Sequence, residues 1–304
     1  MIRRVDFYSV AAVALGCCCI FGVSPSAAEP SSPPESWSDY APPLADIEFN
    51  FRVDALSDLI ERGISRTRHQ PTPRGVATVD WGIFYLSGSA YRIDTGPLRS
   101  GDELEAELAA GVSDRRGPFF YDLNFAQGFS RTVNDQYTEF DLRLTYDLGA
   151  RVTAVGFGGY APDEYGQEIV WGGTGLRLKI TRDLIAFSDV GDAHYFSGII
   201  PDYQYWRAGL DYGLNDWTTV GIAYHGTTLN TRECALVAES LLGSSCDAGV
   251  MGRLSFWFDQ TDLREVWDRA HGSRQPENST EPPPLEVLAA KLPHSRINND
   301  DDPW

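Results

Sequence analysis

From Ile47 to Ala55 the chain alternates without a break, with Ile47, Phe49, Phe51, Val53 and Ala55 in one set and Glu48, Asn50, Arg52 and Asp54 in the other. A period of two places these sets on opposite faces of an extended strand. The pattern recurs along most of the chain. Strands two and three are expected at residues 74–81, with Asp80 on the polar side, and 83–93. A fourth sets Leu104, Ala106, Leu108 and Ala110 against Glu103, Glu105 and Glu107, and a fifth sets Phe119, Tyr121, Leu123 and Phe125 against Asp122 and Asn124. The sixth has Phe140, Leu142, Leu144 and Tyr146 opposite Glu139, Asp141 and Arg143, and the glycine-rich stretch 151–160 gives a seventh of either phase. Leu176, Leu178 and Ile180 against Arg177 and Lys179 mark the eighth, and residues 184–192 the ninth. The tenth carries Trp206, Ala208, Leu210 and Tyr212 against Arg207 and Asp211, and the eleventh carries Val220, Ile222 and Tyr224. The twelfth has Val250, Leu254, Phe256 and Phe258 against Arg253 and Ser255.

So many one-sided strands need a cover for their apolar faces, and almost no chain is left to provide one. Those faces are expected to meet lipid. Lipid cannot satisfy a bare backbone N–H or C=O, so a sheet that spans a bilayer must close on itself. The connections after odd-numbered strands should run from about seven to eighteen residues and those after even-numbered strands about two to six, the sorting of outer loops and periplasmic turns in outer-membrane barrels. The first of the long ones holds Arg62, Gly63, Arg66, Arg68, Pro71 and Pro73 and is too broken to be a helix. The expected fold is therefore all-β, a transmembrane antiparallel up-and-down barrel of about twelve strands over residues 46–258.

An arginine or lysine facing lipid at mid-depth costs about 2–4 kcal/mol. The charges named in the strands, from Glu48, Arg52 and Asp54 to Arg253, are accordingly expected to line the lumen. There the acids of the fourth strand would pair with Arg52, Arg143 or Arg177. Trp81, Tyr91, Phe119, Phe129, Tyr137, Trp171, Trp217 and Phe258 fall near strand ends and suit interfacial girdles.

Residues 1–28 have the parts of a secretory signal: Arg3 and Arg4, an apolar run, then Ser26, Ala27 and Ala28. Ala14-Leu15-Gly16-Cys17 loosely resembles a lipidation box with its leucine one place out of register. Cleavage at Ala28 leaves two cysteines, Cys234 and Cys246, and such a pair in an oxidising compartment reads as one disulfide. Residues 29–45 form a Pro/Ser-rich lead-in, and residues 259–304 a polar tail; by topology both lie in the periplasm of a Gram-negative cell, the tail open to a periplasmic partner. The net charge of -18 in 304 residues disfavours nucleic acid.

Candidate chemistry is thin. His194 with Ser197, and His225 with Thr227 or Thr228, are the pairs a lipid hydrolase could use, but no nucleophile motif accompanies them. No metal-ligand spacing occurs, and no cofactor is implied; calcium on the acids of the fourth strand is the weaker alternative to ion pairing. Passive diffusion of small hydrophilic solutes through a charged lumen is the reading that remains, with a non-conducting barrel that anchors or binds as the alternative. Eight strands make a filled core and sixteen an open channel, so about twelve lies between. The partners are outer-membrane lipids, the barrel-assembly machinery and the solutes themselves.

Residues 57–65 (Ser-Asp-Leu-Ile-Glu-Arg-Gly-Ile-Ser), followed by a proline-containing link and Val79-Asp80, resemble the opening of the TorF-like porin family of proteobacterial outer membranes. The Glu103-Leu104-Glu105 strand, the strands at Tyr121 and Glu139, and the ending from Ala223-Tyr224 through Thr227, Cys234 and Cys246 to Leu254-Ser255-Phe256 are also similar. The resemblance implies an outer-membrane barrel and names no solute. Two departures stand out: 46 residues follow Phe258, where the family ends on an aromatic, and the turn between strands two and three is shortened.

Overall fold

The computed structural model describes residues 47–94, 102–130, 136–164, 166–198, 200–240 and 245–259. The expected signal peptide, lead-in and tail lie outside the described residues. Within them the chain is nearly all β. In order come β1 (Ile47–Leu56), the two short strands β2 (Ile60–Glu61) and β3 (Ile64–Ser65), then β4 (Thr72–Trp81), β5 (Phe84–Asp94), β6 (Asp102–Arg116) and β7 (Phe119–Ser130). These are followed by β8 (Gln136–Asp147), β9 (Val152–Glu164), β10 (Gln167–Lys179), β11 (Leu184–Tyr195), β12 (Tyr203–Asn215) and β13 (Thr218–Thr227). A helix, α1 (Thr231–Ser240), precedes β14 (Gly249–Asp259).

Twelve strands form a closed antiparallel barrel in chain order, with β2 and β3 set apart as a separate hairpin. Closure falls to β1, which pairs with β4 on one side and β14 on the other. The outward faces are the apolar ones: Phe49, Leu86, Leu108, Leu123, Leu176, Ile222 and Val250 are all exposed. Their sequence neighbours of the other parity turn inward, as a period of two requires.

One end of the barrel carries the connections 82–83, 117–118, 148–151, 180–183 and 216–217, the other 57–71, 95–101, 131–135, 165–166, 196–202 and 228–248. At the turn end, Gly82 and Gly117 hold positive φ at the first place of two-residue hairpins, where a turn matching strand twist calls for glycine. The shortened turn between β4 and β5 thus keeps a continuous register, Trp81 opposite Phe84. At the loop end one connection departs from expectation. Strand β9 runs on to Glu164 and β10 begins at Gln167, with a register shift between Gln167 and Ile169, where a long loop was expected.

The interior leaves room for aromatics over glycines. A Cβ on Gly128 would lie 2.0 Å from the Tyr137 ring, and one on Gly159 would lie 2.2 Å from the Trp171 indole. Tyr91, Tyr137 and Trp171 therefore face the cavity rather than an outer girdle, whereas Trp81, Phe119, Phe129 and Trp217 are exposed. Tyr137 shares strand parity with Glu139 and Asp141, which decides its side.

A compact apolar core sits at the loop end, built from Ile64 of β3, Ala161, Ile169, Ala193, Tyr195, Ile200, Tyr203 and Tyr205, with Val237 of α1 and Cys246. Asn230 caps α1, its Oδ1 accepting from the amides of Arg232 and Glu233 at 3.0 Å, while Glu233 Oε2 accepts from the Asn230 amide at 3.0 Å. Cys234 on that helix is bonded to Cys246, as the cysteine count suggested.

Candidate functional site

The barrel encloses a cavity of about 450 Å³. Its wall includes Arg52, Asp80, Glu107, Asp122, Glu139, Asp141, Arg143, Arg177 and Arg207 from the strands, and its loop end is lined by Leu59, Ile60, Glu61, Arg62 and Gly63. Asp54, Glu105, Asp211 and Arg253 are buried. Glu48 and Lys179 are exposed at the turn end, and the Glu103 side chain lies outside the described residues.

The connection 57–71 does not arch into solvent. It folds into the barrel mouth as the β2–β3 hairpin, and residues 63–67 are buried throughout. Gly63, between the two strands, has φ +80, and a Cβ there would meet Gly226 O, Thr227 and Tyr205 at 2.8 Å, so glycine serves both the turn and the close approach. Buried Asp58 holds the loop's shape: its Oδ1 accepts from Ser65 Oγ at 2.6 Å and Thr67 Oγ1 at 2.7 Å. Ser65 also exchanges backbone hydrogen bonds with Ser245, N–H to O at 2.7 Å and the reverse at 3.1 Å, joining the hairpin to the disulfide-closed connection 228–248.

The hairpin carries two guanidiniums into a ring of carboxylates. Arg62 Nη2 lies 2.6 Å from Glu61 and Nη1 lies 3.4 Å from Glu139, and Arg62 also pairs with Glu164. Its plane rests over the Trp171 ring at 4.5 Å. Arg66 pairs with Glu61 and, at 3.2 Å, with Glu105, whose other oxygen accepts from Tyr91 at 2.6 Å and Tyr137 at 2.9 Å. Burial alone would push the Glu61 carboxyl up; Arg62 and Arg66 outweigh it and hold that carboxyl below its ordinary value. Carboxylate oxygens of Glu61, Glu139 and Glu164 lie within 4.8 Å of one another, close enough to hold a cation, and the Arg62 guanidinium is bound to all three.

Elsewhere four arginines are matched locally. Arg177, at 3.6 Å, and Arg207 both meet Asp189, Arg253 meets Asp211 at 2.9 Å, and Arg52 meets Asp54 at 3.0 Å. Glu105 takes a cation from the loop, Arg66. Asp80, Glu107, Asp122 and Asp141 also face the cavity, where Asp80 accepts from Asn50, Asp122 from Tyr85 and Glu107 from Tyr137.

His194 sits at the rim with Nδ1 2.5 Å from Asp202 Oδ2. Thr228 is engaged with Gln204, its hydroxyl accepting from the Gln204 amide, and Thr227 donates to the Cys246 carbonyl at 3.5 Å. The sequence reading missed Glu61, Arg62, Arg66 and Glu164, and the Asp58 network beside them. The only signal was a run of charges interrupted by a glycine.

No family model matches the sequence, and no curated protein does. Among solved structures the chain is similar to the KdgM porin, with 8% identity and a TM-score of 0.45 over 69% of this chain and 98% of that one. It is similar to the NanC porin at 9% identity and 0.45, over 68% and 97%. The outer membrane channel DcaP of Acinetobacter baumannii matches at 11% identity and 0.37, over 71% and 99%.

Proposed function

We propose that this chain is an outer-membrane pore for passive diffusion of small hydrophilic solutes, its tight turns in the periplasm and its outer mouth narrowed by the 57–71 connection. The observation that carries the reading is the charged cavity of about 450 Å³ inside a ring whose outward side chains are leucine, phenylalanine, isoleucine and valine with nothing to cover them. Lipid supplies the apolar surroundings the chain itself does not. Residues 57–65 support membership of the TorF-like porins.

The cavity carboxylates Asp80, Glu107, Asp122 and Asp141 set the expected selectivity. Purified protein in planar bilayers should give small conductance steps, and a KCl gradient should give a reversal potential of the sign for K⁺ over Cl⁻. Changing Asp80, Glu107, Asp122 and Asp141 together to their amides should move that potential toward zero. A silent bilayer over many salts and solutes counts against the pore.

One observation favours a second reading, a plugged barrel that binds or anchors: Arg62 and Arg66 tie the hairpin to β6, β8 and β9. Current that appears only once Arg62 is replaced would select it.

A further inference from the structure

We propose that Asp58, His69 and Ser245 form a nucleophilic site at the loop end of the barrel that hydrolyses carboxylic esters. His69 Nδ1 lies 2.7 Å from Asp58 Oδ2, and His69 Nε2 lies 3.1 Å from Ser245 Oγ. Asp58 is buried, and its second oxygen is held by the hydroxyls of Ser65 and Thr67. An ionised carboxylate only accepts, so it draws the ring proton to Nδ1 and leaves Nε2 as an acceptor facing the serine hydroxyl. That is the order of roles in an acid–imidazole–hydroxyl triad, which is recognised by geometry and not by chain order.

Two further features fit a reactive centre. Arg68 and His69 both have positive φ, 52° and 62°, a conformation side-chain-bearing residues rarely adopt and which gathers at functional sites. Access is graded in the useful direction: the Asp58 side chain is 4% exposed and that of His69 43%. The Ser65–Ser245 backbone pairing and the Cys234–Cys246 bond bring the serine to the imidazole.

Ser245 Oγ would attack the ester carbonyl carbon as its proton passes to His69 Nε2. The ester C–O bond then breaks, and the alcohol leaves with that proton. A water molecule, deprotonated by the same nitrogen, releases the carboxylic acid and restores Ser245. Asp58 stays ionised throughout. The Ser245 amide is already bonded to the Ser65 carbonyl, so it does not serve a developing oxyanion, and the site suits esters with good leaving groups rather than amides. Asp247 Oδ2, 3.3 Å from Ser245 Oγ, competes for the hydroxyl proton and places negative charge beside the reacting oxygen, so Asp247→Asn should raise the rate.

The test uses the full chain folded in detergent, with a fluorophosphonate probe, p-nitrophenyl acetate and micellar p-nitrophenyl decanoate. The expected result is probe adduct on Ser245 and ester turnover that falls about 10²-fold in Ser245→Ala and in His69→Gln. Asp247→Asn should turn over faster than the unaltered chain. Faster acetate turnover assigns dissolved esters, faster decanoate turnover assigns lipid esters. An unboiled gel band at the folded position for each variant separates lost chemistry from lost fold. Equal turnover by the unaltered chain and Ser245→Ala, or no adduct on Ser245, overturns the proposal, whatever the bilayer current shows.

Discussion

Removing the Arg62 guanidinium would leave Glu139 and Glu164 buried against each other with no cation between them. Breaking one side of a buried charge pair costs about 3–5 kcal/mol. Arg62→Ala should therefore lower the urea midpoint of the detergent-folded barrel, read as loss of the fast-migrating gel band. Arg62→Lys should recover only part of the loss, because an ammonium cannot fork among three carboxylates or lie flat on Trp171. Residues of this kind explain what could be read from sequence and what could not. The inward side of Asp122, Glu139 or Arg207 follows from strand parity. Arg62 and Arg66 lie where no strand-long parity exists, in the connection 57–71, so nothing local says that their partners are acids on β6, β8 and β9.

The disulfide was legible at the scale of elements, since the expected leader, once set aside, leaves two cysteines with each other to bond. Its mechanical role was not. Cys234 and Cys246 stand 12 residues apart, a closed span whose chain-entropy stabilisation is about 3 kcal/mol. Because Ser245 adjoins Cys246 and pairs with Ser65, the bond also steadies the inserted hairpin. A Cys234→Ser/Cys246→Ser double variant should keep the folded gel band yet be nicked by trypsin at Arg232 much faster, with cleavage within 57–71 following. Unchanged digestion would mean that the hairpin holds itself. The long β9 and β10 were hidden for a different reason. Gly156, Gly158 and Gly159 on β9 and Gly172, Gly173 and Gly175 on β10 fill the middle of that ladder, with Gly158 opposite Gly172, so the alternation that marks the other strands shows only at the Leu176–Lys179 end of β10. The stretch 161–175 then reads as a connection when most of it is strand.

For the whole molecule, the ring of twelve followed from a single premise, that one-sided strands with no cover must close and face lipid, and the closed sheet has the expected strand number and order. The filling of its loop-end mouth did not follow, because ring closure constrains the wall and leaves a connection free to go inward. Seven registered pairs join β1 to β14, fewer than in any other ladder of the barrel, whereas β10 and β11 share eleven. Amides at 50–56 and 253–259 should thus exchange with deuterium ahead of those in β10 and β11, and equal protection would show the junction to be as firm as the rest. A wall whose two hems are the earliest and latest segments synthesised has no stable half-built form: a product cut short before β14 leaves β1 with a bare edge, and the wall is sealed only when the last strand arrives.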